Sequence, residues 1–356
     1  MSEHHPRGMS RWPAVLECAC FKGKGETKDT QVGTEKHAAL AELLEHLRDN
    51  GYLPKRTGDD YLDAGVYRSA EMIRDSLIAN NVGTEALHIE ERVTLEDGTF
   101  GTADIWFADD HGRLFVWDFK TFRNPGRDYT AQLAGYALAI CQAMEAQGKS
   151  CHEIHLRTLY GDSAMIDSTM LDLYELQQIR DEVMKAFDAG ENGTAQPTQC
   201  NWCELCANFA GCSACLAVAE TVKETLADAP ANFATYTPEK RAQVMLLAEF
   251  AAKWSKAVID ANKAVLLDGG SVRNDALGAA WGLKTKRGAL KLDTPKACRE
   301  LMAQGVDVDI VRGELELPTA GFERAAKTVG IKGKALDELK ERCGTRGADT
   351  VQVVRI

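Results

Sequence analysis

The stretch GTADIWFADDHGRLFVWDFKT, residues 101–121, constrains the fold more than any other part of this chain. Its β-branched and aromatic runs predict two strands, and DDHG at 109–112 predicts the turn between them. Yet Asp104, Asp118 and Lys120 stand among residues that belong in a core. Asp118 and Lys120 are two apart on one strand and share a face. With the turn between Asp110 and His111, Asp104 falls opposite Trp117 or, one residue on, opposite Asp118.

The second register brings two carboxylates and one ammonium together on the buried side of the hairpin. Left unpaired there, they would cost on the order of several kcal/mol. A divalent cation between the carboxylates offsets that cost, and the lysine is left facing a nucleophilic water or a phosphoryl oxygen. A plain Asp–Lys salt bridge, or a register that leaves all three groups in solvent, is the alternative.

The flanking segments supply more polar groups. GTEKHAALAELLEHLRDNG, residues 33–51, places Leu40, Leu43, Leu44 and Leu47 on one helical face, with His37 one turn before them. The helix YTAQLAGYALAICQAMEAQG, residues 129–148, carries Gln132 and Tyr136 four apart and so on one face. Strands are expected at ALHIEERVTL and HEIHLRTLYG, and helices over Tyr61–Asn80 and over residues 168–190. Residues 1–32 read as irregular.

These residues, in this order, resemble the RecB-like branch of the PD-(D/E)XK nuclease superfamily. The matching elements are the His after GT (His37), the Asp of GTAD (Asp104), DFKT (Asp118 to Thr121) and Q-x-x-x-Y (Gln132 to Tyr136). The resemblance spans about residues 1–228. It implies an α/β, restriction-endonuclease-like fold, a central mixed sheet flanked by helices. It also implies Mg²⁺ or Mn²⁺ on His37, Asp104, Asp118 and the main-chain carbonyl of Phe119. Lys120 would orient the attacking water and stabilise charge on the phosphate. Gln132 and Tyr136 would contact the DNA backbone or support the site. The second acid is Asp rather than the commoner Glu, so the metal must sit closer to its strand.

Eleven cysteines are many for one chain, and five of them lie in CNWCELCANFAGCSAC between Cys200 and Cys215. In a reducing compartment such a cluster points to a metal site before disulfides. Cys200, Cys203, Cys212 and Cys215 have the spacing of a local zinc site. RecB-like nucleases often carry a [4Fe–4S] cluster instead, and Cys203, Cys206 and Cys212 fit its C-x2-C-x5-C run. Cys18 or Cys20 would then give the distant ligand and tie the start of the chain to the end of the nuclease domain.

The formal net charge of −11 argues against a general polyanion binder but leaves room for a local basic groove. No apolar run is long enough to cross a bilayer, and residues 1–20 lack the layout of a secretion signal, so a cytoplasmic protein of a bacterial host is expected. No phosphate-binding G-x4-G-K-[ST] loop occurs, so no helicase motor of that type is expected.

A boundary is expected near residues 226–240, giving a nuclease domain over 1–228 and a smaller, mostly helical accessory domain over 229–356. That second part resembles, more loosely, the continuation of a phage and prophage family of RecB-like proteins, with Trp254 on its long helix. In it AAWGLKTKRGALKL reads as a hairpin, and Lys284, Lys286, Arg287 and Lys291 could grip a phosphate backbone. The expected activity is exonucleolytic resection of DNA ends for phage-type recombination, beside a single-strand annealing or single-strand-binding protein. A structure-selective or restriction-type endonuclease is the rival enzyme. A non-catalytic DNA-binding or scaffold protein is the rival from another class.

Overall fold

A computed structural model describes residues 5–24, 28–55, 61–124, 126–227, 236–277, 279–286, 290–307, 319–346 and 350–355. Its contacts divide the chain into two units, Met1–Ser255 and Lys256–Ile356. Of the segment where a boundary was expected, residues 228–235 lie outside the described residues.

The first unit is built on a five-stranded sheet in the order β1 (His88–Thr94), β2 (Phe100–Ala108), β3 (Arg113–Lys120), β4 (Glu153–Tyr160), β5 (Met165–Leu171). Neighbours are antiparallel except β3 and β4, which run parallel because the helix α4 (Thr130–Ala146) crosses between them. Apolar residues on both faces of β3 require cover on both sides. Leu114 and Val116 face a core shared with α1 (Trp12–Glu17), α4 and α5 (Leu173–Glu191). Phe115, Trp117 and Phe119 face another core shared with α2 (Lys28–Asn50) and α3 (Tyr61–Ala79). Each of those aromatics is buried, which stabilises the fold by about 1.5–3 kcal/mol apiece. Parity then decides where Asp118 goes: it shares the face of Leu114 and Val116 and looks toward α4.

The turn between β2 and β3 centres on His111, not between Asp110 and His111. Asp109 Oδ1 accepts from the amides of His111 and Arg113, both at 2.9 Å, and Gly112 takes φ +75°. The resulting register pairs Ile105 with Trp117, so the next facing positions are Asp104 and Asp118.

Four expectations change. Residues 1–32 are not wholly irregular: α1 covers Trp12–Glu17, and α2 starts at Lys28. The helix expected over 168–190 begins only at Leu173. Asp172 caps it in a reciprocal pair with Glu175, and Met165–Leu171 forms β5 at the sheet edge.

The other two changes fall in the second unit. The hairpin over 279–292 is not formed: β7 (Ala279–Lys286) pairs with β6 (Val272–Asn274) and with β10 (Thr350–Arg355), while β8 (Leu290–Leu292) pairs with β9 (Gly344–Arg346). The part expected to be mostly helical also ends in strands, since β9 and β10 lie in its last residues. The long helix α6 (Pro238–Leu267) precedes helices α7 (Thr294–Ala303), α8 (Thr319–Thr328) and α9 (Lys334–Cys343), which pack around Leu301, Phe322 and Leu339. Lys284 and Lys286 are therefore on a different sheet from Lys291, and Arg287 lies outside the described residues. No helix among the described residues is long and apolar enough to cross a membrane.

Candidate active site

Strands β2 and β3 separate where the acids begin. The ladder ends at Ile105–Trp117, and Oδ2 of Asp104 accepts the amide of Phe119 at 2.8 Å. Asp118 is almost fully buried; its Oδ1 accepts from Lys120 Nζ at 3.0 Å and from Gln132 Nε2 at 2.9 Å. Gln132 Nε2 also donates to the Tyr136 hydroxyl at 2.9 Å, so Gln132 links Tyr136 to that carboxylate. Tyr136 reaches that position because Gly101 has no side chain: a Cβ there would lie 2.6 Å from Tyr136 Cε1. Lys120 Nζ lies 4.6 Å from the centre of the Tyr129 ring, which screens it from water.

His37 comes from α2 on the other side. Its Nδ1 is 3.5 Å from Asp104 Oδ2 and 3.7 Å from Glu90 Oε1, and its ring meets Phe119 edge-on at 5.2 Å. Glu90 escaped the sequence reading. In an alternating strand it looks like any solvent-facing acid, and Glu91 beside it does turn away, toward His88 and Trp106. In the structure Glu90 occupies the position facing Asp104 in the β1–β2 register, with φ +48°. That left-handed backbone, unfavourable for a glutamate, interrupts the ladder and points to a local demand on this residue.

The electrostatics are strained without a cation. Burial, then the charge of Asp118, push the Asp104 carboxyl up to about 7 against the pull of His37 and Lys120. Burial works to lower the Lys120 ammonium, but Asp118 and Asp104 outweigh it and raise it. Burial likewise opposes the charge on His37, while Glu90 and Asp104 raise it on balance. Burial, reinforced by Asp118, holds the Tyr136 hydroxyl neutral. Asp118 Oδ2 is ion-paired with Lys120 Nζ at 2.9 Å and accepts no other bond among the described residues, and ligand atoms of His37, Glu90 and Asp104 all lie within 4.8 Å of one another. A buried carboxylate oxygen with acceptor capacity to spare, beside a convergent His, Glu and Asp, is a donor set that fits a hard divalent ion.

The family model of the PD-(D/E)XK nuclease superfamily matches residues 22–213, more than half of the chain. The chain belongs to the PD-(D/E)XK nuclease superfamily. The matched span covers His37, both aspartates, Lys120, Gln132, Tyr136 and four of the five clustered cysteines. No curated protein matches the chain.

The PD-(D/E)XK unit ends by folding back on its start. Gly23 bridges to Cys206, the amide of Lys24 donates to Leu205 O at 3.0 Å, and that of Ala207 donates to Lys22 O at 2.6 Å. This pairing brings Cys18 and Cys20 beside the cluster; all eleven cysteines are free thiols. Burial, then the charges of Cys18, Cys212 and Cys206, raise the Cys20 thiol. Cys200 and Cys203 have their sulfurs 3.9 Å apart, and the Cys200 contact helps push Cys203 down to about 6. Burial, then Cys203 and Cys212, raise Cys215. Seven cysteines thus crowd one region, an arrangement that suits a bound cation. Cys141 and Cys151 touch each other elsewhere in the unit, while Cys298 and Cys343 pack in the core of the second unit.

Proposed function

We propose that the chain is a metal-dependent DNA nuclease of the RecB-like branch that resects DNA ends. One observation carries the reading: two carboxylates and an ammonium meet at the fork of β2 and β3, where Asp118 Oδ2 is partnered by Lys120 alone among the described residues. Mg²⁺ or Mn²⁺ would be held by Asp104 and Asp118, with His37, the Phe119 carbonyl and Glu90 completing the donor set. When bound, that cation supplies Lewis acidity toward the phosphodiester and the water that attacks it.

The chain's own groups do the rest. Lys120 keeps a positive charge where negative charge builds on the phosphate, and Tyr129 limits the water around it. Gln132 fixes Asp118 through Oδ1 and leaves Oδ2 to Lys120 and to a cation. Tyr136 holds Gln132 in turn, as a positioning residue. Lys284, Lys286, Arg287 and Lys291 remain proposed backbone contacts. The working context would be phage-type recombination beside a single-strand annealing or single-strand-binding protein.

The cysteines would hold a [4Fe–4S] cluster on Cys203, Cys206 and Cys212 with Cys20 or Cys18. The main-chain bridge between Gly23 and Cys206 supports this set, because it ties the N-terminal cysteines to the cluster. The 3.9 Å separation of Cys200 and Cys203 favours a second reading, zinc on Cys200, Cys203, Cys212 and Cys215. Two thiolates about 2.3 Å from a tetrahedral zinc lie roughly 3.8 Å apart.

The test is anaerobic purification followed by digestion of linear, covalently closed and single-stranded DNA with Mg²⁺ or Mn²⁺. Linear DNA is degraded and closed circles resist; Asp118→Ala and Lys120→Ala bind DNA but do not cut it. Cutting of closed circles would replace the exonuclease by an endonuclease. Full cutting by either variant would remove the site. Brown colour with broad visible absorbance identifies iron–sulfur, and a colourless zinc-loaded protein identifies the rival.

A further inference from the structure

A groove of about 590 Å³ runs between the N-terminal segment, the start of β2 and α4. Arg11, Lys22, Lys24, Phe100, Thr102 and Tyr136 line it, and its described lining contains no Asp or Glu. In a chain with 53 acidic residues and a net charge of −11, a wall of three cations without an acid is a marked local reversal.

Those cations are not spent on carboxylates. Arg11 donates to the main-chain carbonyls of Pro6 and Phe21. Lys24 Nζ donates to the carbonyl of Glu204 at 2.7 Å. Lys22 is exposed and has no ion-pair partner among the described residues. Arg92 extends the basic rim, its guanidinium 3.7 Å from the centre of the Phe100 ring. Lys22 and Lys24 are also held in place, because their main chain pairs with Leu205–Ala207. A binding wall fixed before the ligand arrives loses less freedom on binding.

The groove shares the buried Tyr136 with the carboxylate site as a common wall. That side chain lines the groove, and its hydroxyl is bonded at 2.9 Å to Gln132, which is bonded at 2.9 Å to Asp118. We propose that this groove holds one nucleic-acid strand beside the carboxylate site, with Arg11, Lys22 and Lys24 meeting its phosphates. The assignment rests on the nuclease reading above.

The test compares the full chain with Lys22→Ala/Lys24→Ala and with Lys149→Ala, which alters an exposed lysine outside the groove. Anisotropy of labelled single-stranded DNA and RNA of one sequence is read over a salt series without divalent metal. Hydrolysis of the p-nitrophenyl ester of thymidine 5′-monophosphate with Mn²⁺ is read alongside, because that ester is too small to occupy the groove. The double variant should bind roughly tenfold more weakly, with a log–log salt slope smaller by about 1.4, since each single-strand phosphate contact contributes about 0.7. Ester hydrolysis and the Lys149 variant should match wild type. Unchanged affinity and slope would overturn the groove, as would duplex DNA showing the same dependence on the two lysines. DNA bound more tightly than RNA, or the reverse, names the strand. Lysine-dependent binding with no hydrolysis by wild type would keep the groove and remove the nuclease.

Discussion

The main-chain amide of Phe119 donates to Oδ2 of Asp104 at 2.8 Å, one position beyond the last β2–β3 pair. A side chain thus takes up a donor that the diverging strand releases, and the same carboxylate is held toward Asp118. The fork that ends the ladder is also what assembles the acids.

Replacing Asp118 by Asn keeps the shape and an acceptor for Gln132 but removes one of two like charges. We expect a loss of DNA cleavage of roughly 100-fold or more, the scale of removing one key electrostatic group. Thermal stability should fall, because the buried Lys120 ammonium loses its ion-pair partner. Digestion rates and calorimetry of the variant check both halves.

The Asp104 carboxyl gives the metal-free protein a distinctive pH dependence. Its folded pKa of about 7 is above the ordinary value of 3.8, so the folded state binds the extra proton. Stability from this group is therefore fully present below pH 3.8 and is lost as pH rises toward 7. Melting in chelator between pH 5 and 8 should show this fall; Asp104→Asn should flatten it, and Mg²⁺ should oppose it.

Much of this site was legible because its chemistry conflicts with its surroundings. Asp118 and Lys120 stand out in RLFVWDFK because every neighbour is apolar, and only a one-residue choice of register remained open. That choice was settled by Asp109 accepting the amides of His111 and Arg113, a turn detail the DDHG pattern does not specify. Glu90 was hidden because its role depends on a backbone distortion, not on residue type. Strand β5 was hidden because it lies at an edge, mostly exposed, and runs straight into the cap of α5. The partner of β7 is β10, more than sixty residues onward, so local spacing suggested a hairpin instead.

Asp109 is a fold-level test of the register. Burial works to raise its carboxyl, but the main-chain amide and then the guanidinium of Arg113 outweigh it and hold it low. Its stabilising effect is present above the ordinary carboxyl range and is lost as pH falls through the depressed value. Asp109→Ala leaves turn amides without their acceptor and should cost about 1–3 kcal/mol. Urea unfolding at neutral pH measures that loss, which should shrink under acid.

Cys206 is bridged through its main chain to Gly23, so metal at the cysteines should stiffen both ends of that pairing. Stripping the metal should speed amide exchange at Lys24 and Ala207, whose amides make the flanking bonds, and leave exchange in β3 slow. Hydrogen exchange on the loaded and stripped protein reads this directly. Equal protection at Lys24 and Ala207 in both forms would count against a structural cluster.

Anomalous diffraction from crystals containing Mn²⁺ tests the central claim most directly. The account predicts a peak at bonding distance from Asp118 Oδ2 and from Asp104, within reach of His37 and Glu90, and its loss in Asp118→Ala. No peak at the β2–β3 fork, in a protein that still digests DNA with Mn²⁺, would contradict it.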